Sequence, residues 1–346
     1  MAHKFPYKWL LSDGYPSHGI IKNNLKVFGT FICGGGSSMG YKLAGYNHMG
    51  GVEIDNKIAP VYKKNHNPKY LFNEDIRDFL KRDDIPLELF DLDILDGSPP
   101  CSSFSLSGVR EDGWGVKKTF REGQAKQQLD DLFFTYIALA KKLQPKVIIA
   151  ENVKGMLVGN ARMYVKKIED SFIKAGYKVQ LFLCNSAVMG VPQKRERVFF
   201  IARRQDLPFP DLKLHFDEPI IPYKEISDKS DVSERPLNTV TDKVYHLVKP
   251  GNNFSRIIDK NRVMGFNSLK LSYDKPVPTI TATPAAIYHP TLRRYLNKTE
   301  LCLAGSYPLD YDFGILKPRY LIGMSVPPVM IANIANSIYE QWFSTL

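Results

Sequence analysis

The stretch Lys26-Val27-Phe28-Gly29-Thr30-Phe31-Ile32, running directly into Cys33-Gly34-Gly35-Gly36-Ser37-Ser38, decides the fold. A short apolar strand followed by a glycine-rich turn and a helix is the opening unit of a wound α/β sheet, with glycines where the backbone must pass close to a ligand. The same rhythm continues outward. Residues 49–54, 92–95, 147–150, 179–185 and 198–202 read as further apolar strands. Between them, 127–143 carries Leu129, Leu132, Phe133, Tyr136, Ile137 and Ala140 at helical spacing until Pro145 ends the pattern, a stripe that core packing explains. Strands alternating with helices predict a parallel sheet in a doubly wound, Rossmann-like α/β domain.

Composition fits that frame. The chain has 346 residues, 44% hydrophobic and 24% charged, enough to bury a substantial core rather than remain disordered. No apolar run approaches the ~18 residues of a membrane span, and residues 1–7 lack a secretory apolar segment, so a cytoplasmic protein without membrane partners is expected. The cysteines Cys33, Cys101, Cys184 and Cys302 form no paired or metal-ligand spacing, which suits a reducing compartment and predicts no metal. Net charge is +11, and residues 242–298 hold ten Lys and Arg against three acids, a local excess of +7. Such a segment suits a polyanionic partner, although a solvated basic face has the same composition. Within it Tyr245, Phe254 and Phe266 interleave with Lys243, Lys249, Arg256, Lys260, Arg262 and Lys270. Before it, Pro208, Pro210, Pro219 and Pro222 read as a linker or an irregular entry into a second unit.

Three constellations carry chemistry. The glycine turn has partners in Glu53, placed to accept both hydroxyls of a ribose, and in Asp75-Ile76, an acid and an apolar side chain that frame an adenine; a structural turn with two surface acids looks the same. The second is Gly97-Ser98-Pro99-Pro100-Cys101, fifty positions before Glu151-Asn152-Val153. A thiol on a proline-stiffened turn, beside a carboxylate at the end of a second strand, can attack a ring carbon while handling a nearby ring nitrogen, so pyrimidine chemistry is the first hypothesis. An isolated cysteine is otherwise most often an inert buried thiol. The third is Pro192-Gln193-Lys194-Arg195-Glu196-Arg197, where strand alternation puts Arg195 and Arg197 on one face, able to orient a carboxylate or reach a base carbonyl.

Taken in order, these motifs resemble the DNA (cytosine-5)-methyltransferase family of bacterial or phage type. The likeness extends to Thr299-Glu300 through Tyr307-Pro308 and to Gly323-Met324-Ser325-Val326-Pro327-Pro328, similar to the family's closing GNSVPP element. The chain departs from the family in having Gly29-Thr30-Phe31-Ile32-Cys33, without the usual acid and first glycine, and Met324 in place of asparagine.

The resemblance implies methyl transfer from S-adenosylmethionine to C5 of a cytosine flipped from double-stranded DNA. Cys101 would attack C6, Glu151 would engage N3, and Arg197 with Arg195 would bind O2 and fix Glu151. Phe31, Gly35, Gly36, Glu53, Ile54, Asp75, Ile76, Pro100, Leu132 and Ser325 would hold the cofactor. Ser105 and Ser107, in a loop closing over DNA, would contact phosphates together with Lys243, Lys249, Arg256, Lys260 and Arg262. The implied layout is a catalytic domain of residues 1–204 plus 315–346 and a smaller, mostly irregular or β target-recognition domain of 205–314. A restriction endonuclease acting on the same site is the implied protein partner. Two alternatives keep the fold: a tRNA cytosine-5 methyltransferase, whose Cys-Phe-Thr element is not present, and a silent DNA-binding paralogue, which should have lost the cysteine or the glutamate.

Overall fold

The structure, a computed structural model, describes residues 4–16, 22–100, 131–158, 161–230, 232–233, 240–258, 268–282 and 287–345. Seven strands form the central sheet: β1 (Lys22–Thr30), β2 (Tyr46–Val52), β3 (Tyr70–Phe72), β4 (Ile94–Gly97), β5 (Val147–Val153), β6 (Tyr177–Asn185) and, after the two-residue β7 (Gln193–Lys194), β8 (Glu196–Arg204). Their order is β3-β2-β1-β4-β5-β8-β6. The helices α1 (Gly36–Leu43), α2 (Ile58–His66), α3 (Ile76–Lys81), α4 (Leu132–Leu143) and α5 (Ala161–Lys174) make the crossovers. The central strands are buried on both faces, which is why 147–150 reads as an unbroken apolar run: Val147, Ile148, Ile149 and Ala150 are all 0% exposed. Each such side chain contributes about 1.5–3 kcal/mol by leaving water.

The expected all-parallel sheet needs correction. β8 runs antiparallel to both β5 and β6. The cause is the connection: β6 leads to β8 through the short turn Ser186–Val188 and β7, with no crossover helix, so the chain must return in the opposite direction. The rest of the doubly wound order holds, with the reversal between β1 and β4. In register, Thr30 lies beside Gly97 and Gly97 beside Ala150, so the carboxyl ends of β1, β4 and β5 meet at one edge. That edge is where open α/β sheets bind ligands.

Beyond β8 the chain has little regular structure: α6 (Val240–Lys243), α7 (Ser255–Ile258), the two-residue strands β9 (Leu269–Lys270), β10 (Val277–Pro278) and β11 (Ile287–Tyr288), then α8 (Lys298–Ala304). The proline-rich stretch is no free linker. Phe209 stacks on Trp342 at 5.3 Å, and Leu212, Ile221 and Tyr223 are buried with the main domain. β10 pairs with β7, which ties the irregular part to the sheet's last turn. Of the closing helices, α9 (Pro318–Met324) packs against α8 and α10 (Pro328–Gln341) against α1. The most apolar 18-residue window within Pro318–Thr345 is 89% buried, as befits core helices.

One buried ion pair ties separate segments of the irregular part together. The fork of Arg294 donates to both oxygens of Glu300 at 2.7 and 3.0 Å, with side chains 2% and 0% exposed. Glu300 also takes the Tyr223 hydroxyl at 2.6 Å and the Asp228 amide at 3.0 Å, and it closes the capping box of α8 with Asn297. Glu300→Gln leaves the guanidinium buried without its counter-charge, and the expected loss is about 3–5 kcal/mol, read as a lower urea midpoint. An unchanged midpoint would contradict this role.

Candidate active site

The glycine turn is built on left-handed backbone. Phe31, Cys33 and Gly35 have φ of 54°, 47° and 74°, an arrangement that turns the chain sharply from β1 into α1. Gly35 caps α1, and a Cβ there would lie 2.1 Å from His66 Nε2; one on Gly36 would lie 2.1 Å from the Val326 carbonyl. Both glycines are therefore steric requirements. The bed beneath the turn escaped the sequence reading: His66 stacks on Tyr62 at 4.3 Å, and the Tyr311 hydroxyl donates to the Gly34 carbonyl at 2.7 Å.

Glu53, just past β2, receives the Cys33 amide on one oxygen at 2.9 Å and the Asp55 amide on the other at 2.8 Å. Burial pushes its carboxyl up to about 7, although those two amides favour the charged form. Ile54 beside it is 39% exposed. Asp75 caps α3 and accepts the Arg77 amide at 2.8 Å, while the Arg77 side chain holds both its oxygens; Ile76 is buried behind it. A cleft opens above the switch point, lined by Phe31, Cys33, Gly36, Ser37, Asp96, Ser98, Met324 and Ser325. Ser325 donates to the Leu321 carbonyl at 2.9 Å, which fixes the closing loop, and Leu132 is 3% exposed at the start of α4.

The proline turn and the Glu-Asn-Val strand are brought together. Asn152 Nδ2 donates to the Pro99 carbonyl at 3.0 Å, so the half-buried Pro100 is anchored next to β5. Cys101, which follows, lies outside the described residues, as do Ser105, Ser107, Lys260, Arg262 and Phe266. Glu151 points to the face it shares with Arg197, because Glu151 pairs with Phe199 and Val153 with Arg197 across the β5–β8 ladder. The Arg197 Nε lies 2.8 Å from Glu151 Oε1, and the two side chains are 15% and 12% exposed.

Arg195 does something else. It precedes β8 and is not one of its alternating residues; its guanidinium is buried and donates to the carbonyls of Ile280 at 3.0 Å and Gly323 at 3.1 Å. It therefore braces the closing loop against the 280 segment, and only Arg197 reaches Glu151. The reading of interleaved aromatics also changes. Tyr245 and Phe254 are core residues packed with Tyr288 and Tyr295, and Lys270 is buried over the Tyr245 ring at 3.9 Å. Their rings face inward as part of a small core that also takes in Val248, Val244 and Ile258. Lys243, Lys249 and Arg256 are exposed around that cluster.

Among the described cysteines, Cys33, Cys184 and Cys302 have thiols that burial pushes up to about 12, with Glu53 adding to the effect at Cys33. None offers a thiolate at neutral pH.

Comparison with known proteins agrees with this geometry. A family model described as C-5 cytosine-specific DNA methylase matches residues 25–340. The type II methyltransferase M.DdeI of Desulfomicrobium norvegicum is 32% identical, covering 92% of this chain and 89% of its own length. M.Sau96I of Staphylococcus aureus, also a type II methyltransferase, is 29% identical over 96% of this chain and 80% of its own. Among solved structures, a candidate DNA modification methyltransferase from an E. coli prophage superposes with a TM-score of 0.67 at 20% identity, covering 92% of this chain and 99% of that one. That last likeness speaks for the fold.

Proposed function

This chain belongs to the C-5 cytosine-specific DNA methylase family and is a DNA (cytosine-5)-methyltransferase, and on that premise we propose that it methylates a cytosine flipped out of the duplex through a covalent bond from Cys101 to ring carbon C6. Flipping follows from access, since C6 is shielded inside the base stack. Formation of the sulfur–carbon bond moves the C5–C6 π electrons toward C5, and Glu151 stabilises them by hydrogen bonding or proton donation at N3. Once C5 carries the methyl group, its proton leaves and the bond to Cys101 breaks, restoring the aromatic ring. The single observation that supports this reading is the Asn152–Pro99 hydrogen bond, which ties Pro99, two positions before Cys101 in the chain, to the strand that carries Glu151, itself paired with Arg197.

The family implies S-adenosylmethionine, and the residues at the cleft fit it. Glu53 keeps lone pairs free after accepting two amides, as a ribose requires, and Phe31 offers an aromatic face at the cleft. Gly35, Gly36, Ile54, Asp75, Ile76, Pro100, Leu132 and Ser325 complete the set, with Asp75 sharing its carboxylate between the adenine amine and Arg77. When bound, this cofactor supplies an electrophilic methyl group on a sulfonium. Arg197 keeps Glu151 oriented and meets the base at O2; Arg195 acts at one remove, by bracing the closing loop.

Residues 205–314 form the DNA-reading part, where exposed Lys243, Lys249 and Arg256, with Lys260 and Arg262, meet phosphates and set a strong salt dependence. Ser105 and Ser107 add phosphate contacts from the catalytic side. The type II naming of M.DdeI and M.Sau96I supports a cognate restriction endonuclease as partner. Incubation with mixed-sequence duplex DNA and S-adenosylmethionine, followed by bisulfite sequencing, should give protected cytosines within one short motif. Protection scattered without a motif, or none, would contradict the proposal.

A further inference from the structure

We propose that Asp96 is a cofactor-binding residue whose carboxylate pairs with the α-ammonium of the methyl donor's zwitterionic amino-acid end. This rests on the reading that the cleft takes S-adenosylmethionine, and it specifies that site further. Asp96 sits one residue before the carboxyl end of β4, beside the switch point of the sheet, and lines the cleft with Ser37, Ser98, Met324 and Ser325. It is 5% exposed. The Tyr41 hydroxyl donates to it at 3.0 Å and the Ser37 hydroxyl is its other hydrogen-bond partner.

The groups facing it from the surrounding elements are Tyr41 of α1, Tyr62 of α2, Tyr136 of α4 and Glu151 of β5. None of these is a cation, and no ion pair to Asp96 occurs among the described residues. A carboxylate this buried normally carries a cationic partner, because neutral hydroxyls do not offset the loss of water. The missing charge is reflected in the acid itself, which burial pushes up to about 7. Of the other acids nearby, Glu53 already accepts the Cys33 and Asp55 amides and Glu151 is paired with Arg197. Asp96 lines the cleft itself, so a ligand that enters the cleft can bring a cation to it. The methyl donor carries two positive centres, a sulfonium and an α-ammonium, and both belong to its methionine portion. A nucleoside without that portion has neither.

The test is calorimetric binding to the full chain without DNA, using S-adenosylhomocysteine, which retains the α-ammonium, and 5′-methylthioadenosine, which lacks the amino acid. Asp96→Asn should weaken S-adenosylhomocysteine by about 10- to 100-fold, the scale of a hydrogen bond to a charged group, and leave 5′-methylthioadenosine within about twofold. In the wild type, protonation of Asp96 removes the negative charge, so affinity for S-adenosylhomocysteine should fall as pH drops through 7, and binding below that point should release a proton. Glu53 titrates in the same range, but 5′-methylthioadenosine reports its share, so the excess pH dependence of S-adenosylhomocysteine belongs to Asp96. That comparison needs no variant and stands even if Asp96→Asn fails to fold. Equal pH profiles for the two ligands, or equal losses in the variant, would overturn the proposal. If neither ligand bound the wild type at millimolar concentration, the underlying reading of the cleft would fail first, and the assignment of Asp96 with it.

Discussion

Cys101→Ala is expected to abolish methylation, lowering the single-turnover rate by about 10⁴-fold or more while duplex DNA and S-adenosylhomocysteine still bind. Loss of a covalent nucleophile removes the step that makes C5 electron-rich, and no other thiol replaces it. Cys33 lines the cleft, yet its thiol is held up at about 12 by burial and by Glu53. Cys184 and Cys302 are buried in the core. Alanine is smaller than cysteine and introduces no charge, so DNA binding measured by gel shift should be retained. A variant that methylated at the wild-type rate would leave the covalent mechanism without support.

The second large effect is expected at Glu151. Glu151→Gln keeps the shape and can still accept from Arg197, but it removes the negative charge and the exchangeable carboxyl proton. Rate constants for methyl transfer should fall by roughly 10²–10⁴-fold, the range of positioned acid–base catalysis. The fall should appear in kcat and not in the dissociation constant for DNA. Arg197 then keeps its charge only 15% exposed with a neutral partner, so a modest drop in melting temperature accompanies the change. A loss of DNA binding as large as the loss of rate would point to a structural pair instead.

The parts of this molecule that were legible in its sequence are those governed by local pattern. Apolar runs such as 147–150 announce strands buried on two faces, and the order of Phe31, Glu53, Pro99-Pro100 and Glu151 follows the sheet edge that gathers them. What escaped depends on tertiary context. Alternation cannot tell a parallel strand from an antiparallel one, so the reversal of β8 became visible only with its short connection to β6. Arg195 and Arg197 are two residues apart, but the strand begins between them and sends one to Glu151 and the other to backbone carbonyls. Tyr245 and Phe254 sit among basic residues as a nucleic-acid surface would place them, yet a small irregular unit needs those rings for its own core. β3 is only three residues long and half-buried, too short for a periodic signal. Asp96 did leave a trace in the sequence, as the single charge inside the buried strand Ile94–Gly97.

The most direct test of the account is to present the enzyme with duplex DNA that carries 5-fluorocytosine at the cytosine identified by bisulfite mapping. Fluorine at C5 cannot leave as a proton does, so after methyl transfer the ring cannot be restored and the bond to the protein persists. In the presence of S-adenosylmethionine, denaturing electrophoresis and mass spectrometry should reveal a protein–DNA adduct carrying one added methyl group, with the linkage mapping to Cys101 and absent from Cys101→Ala. No adduct from an active preparation, or a linkage at any other residue, would contradict it.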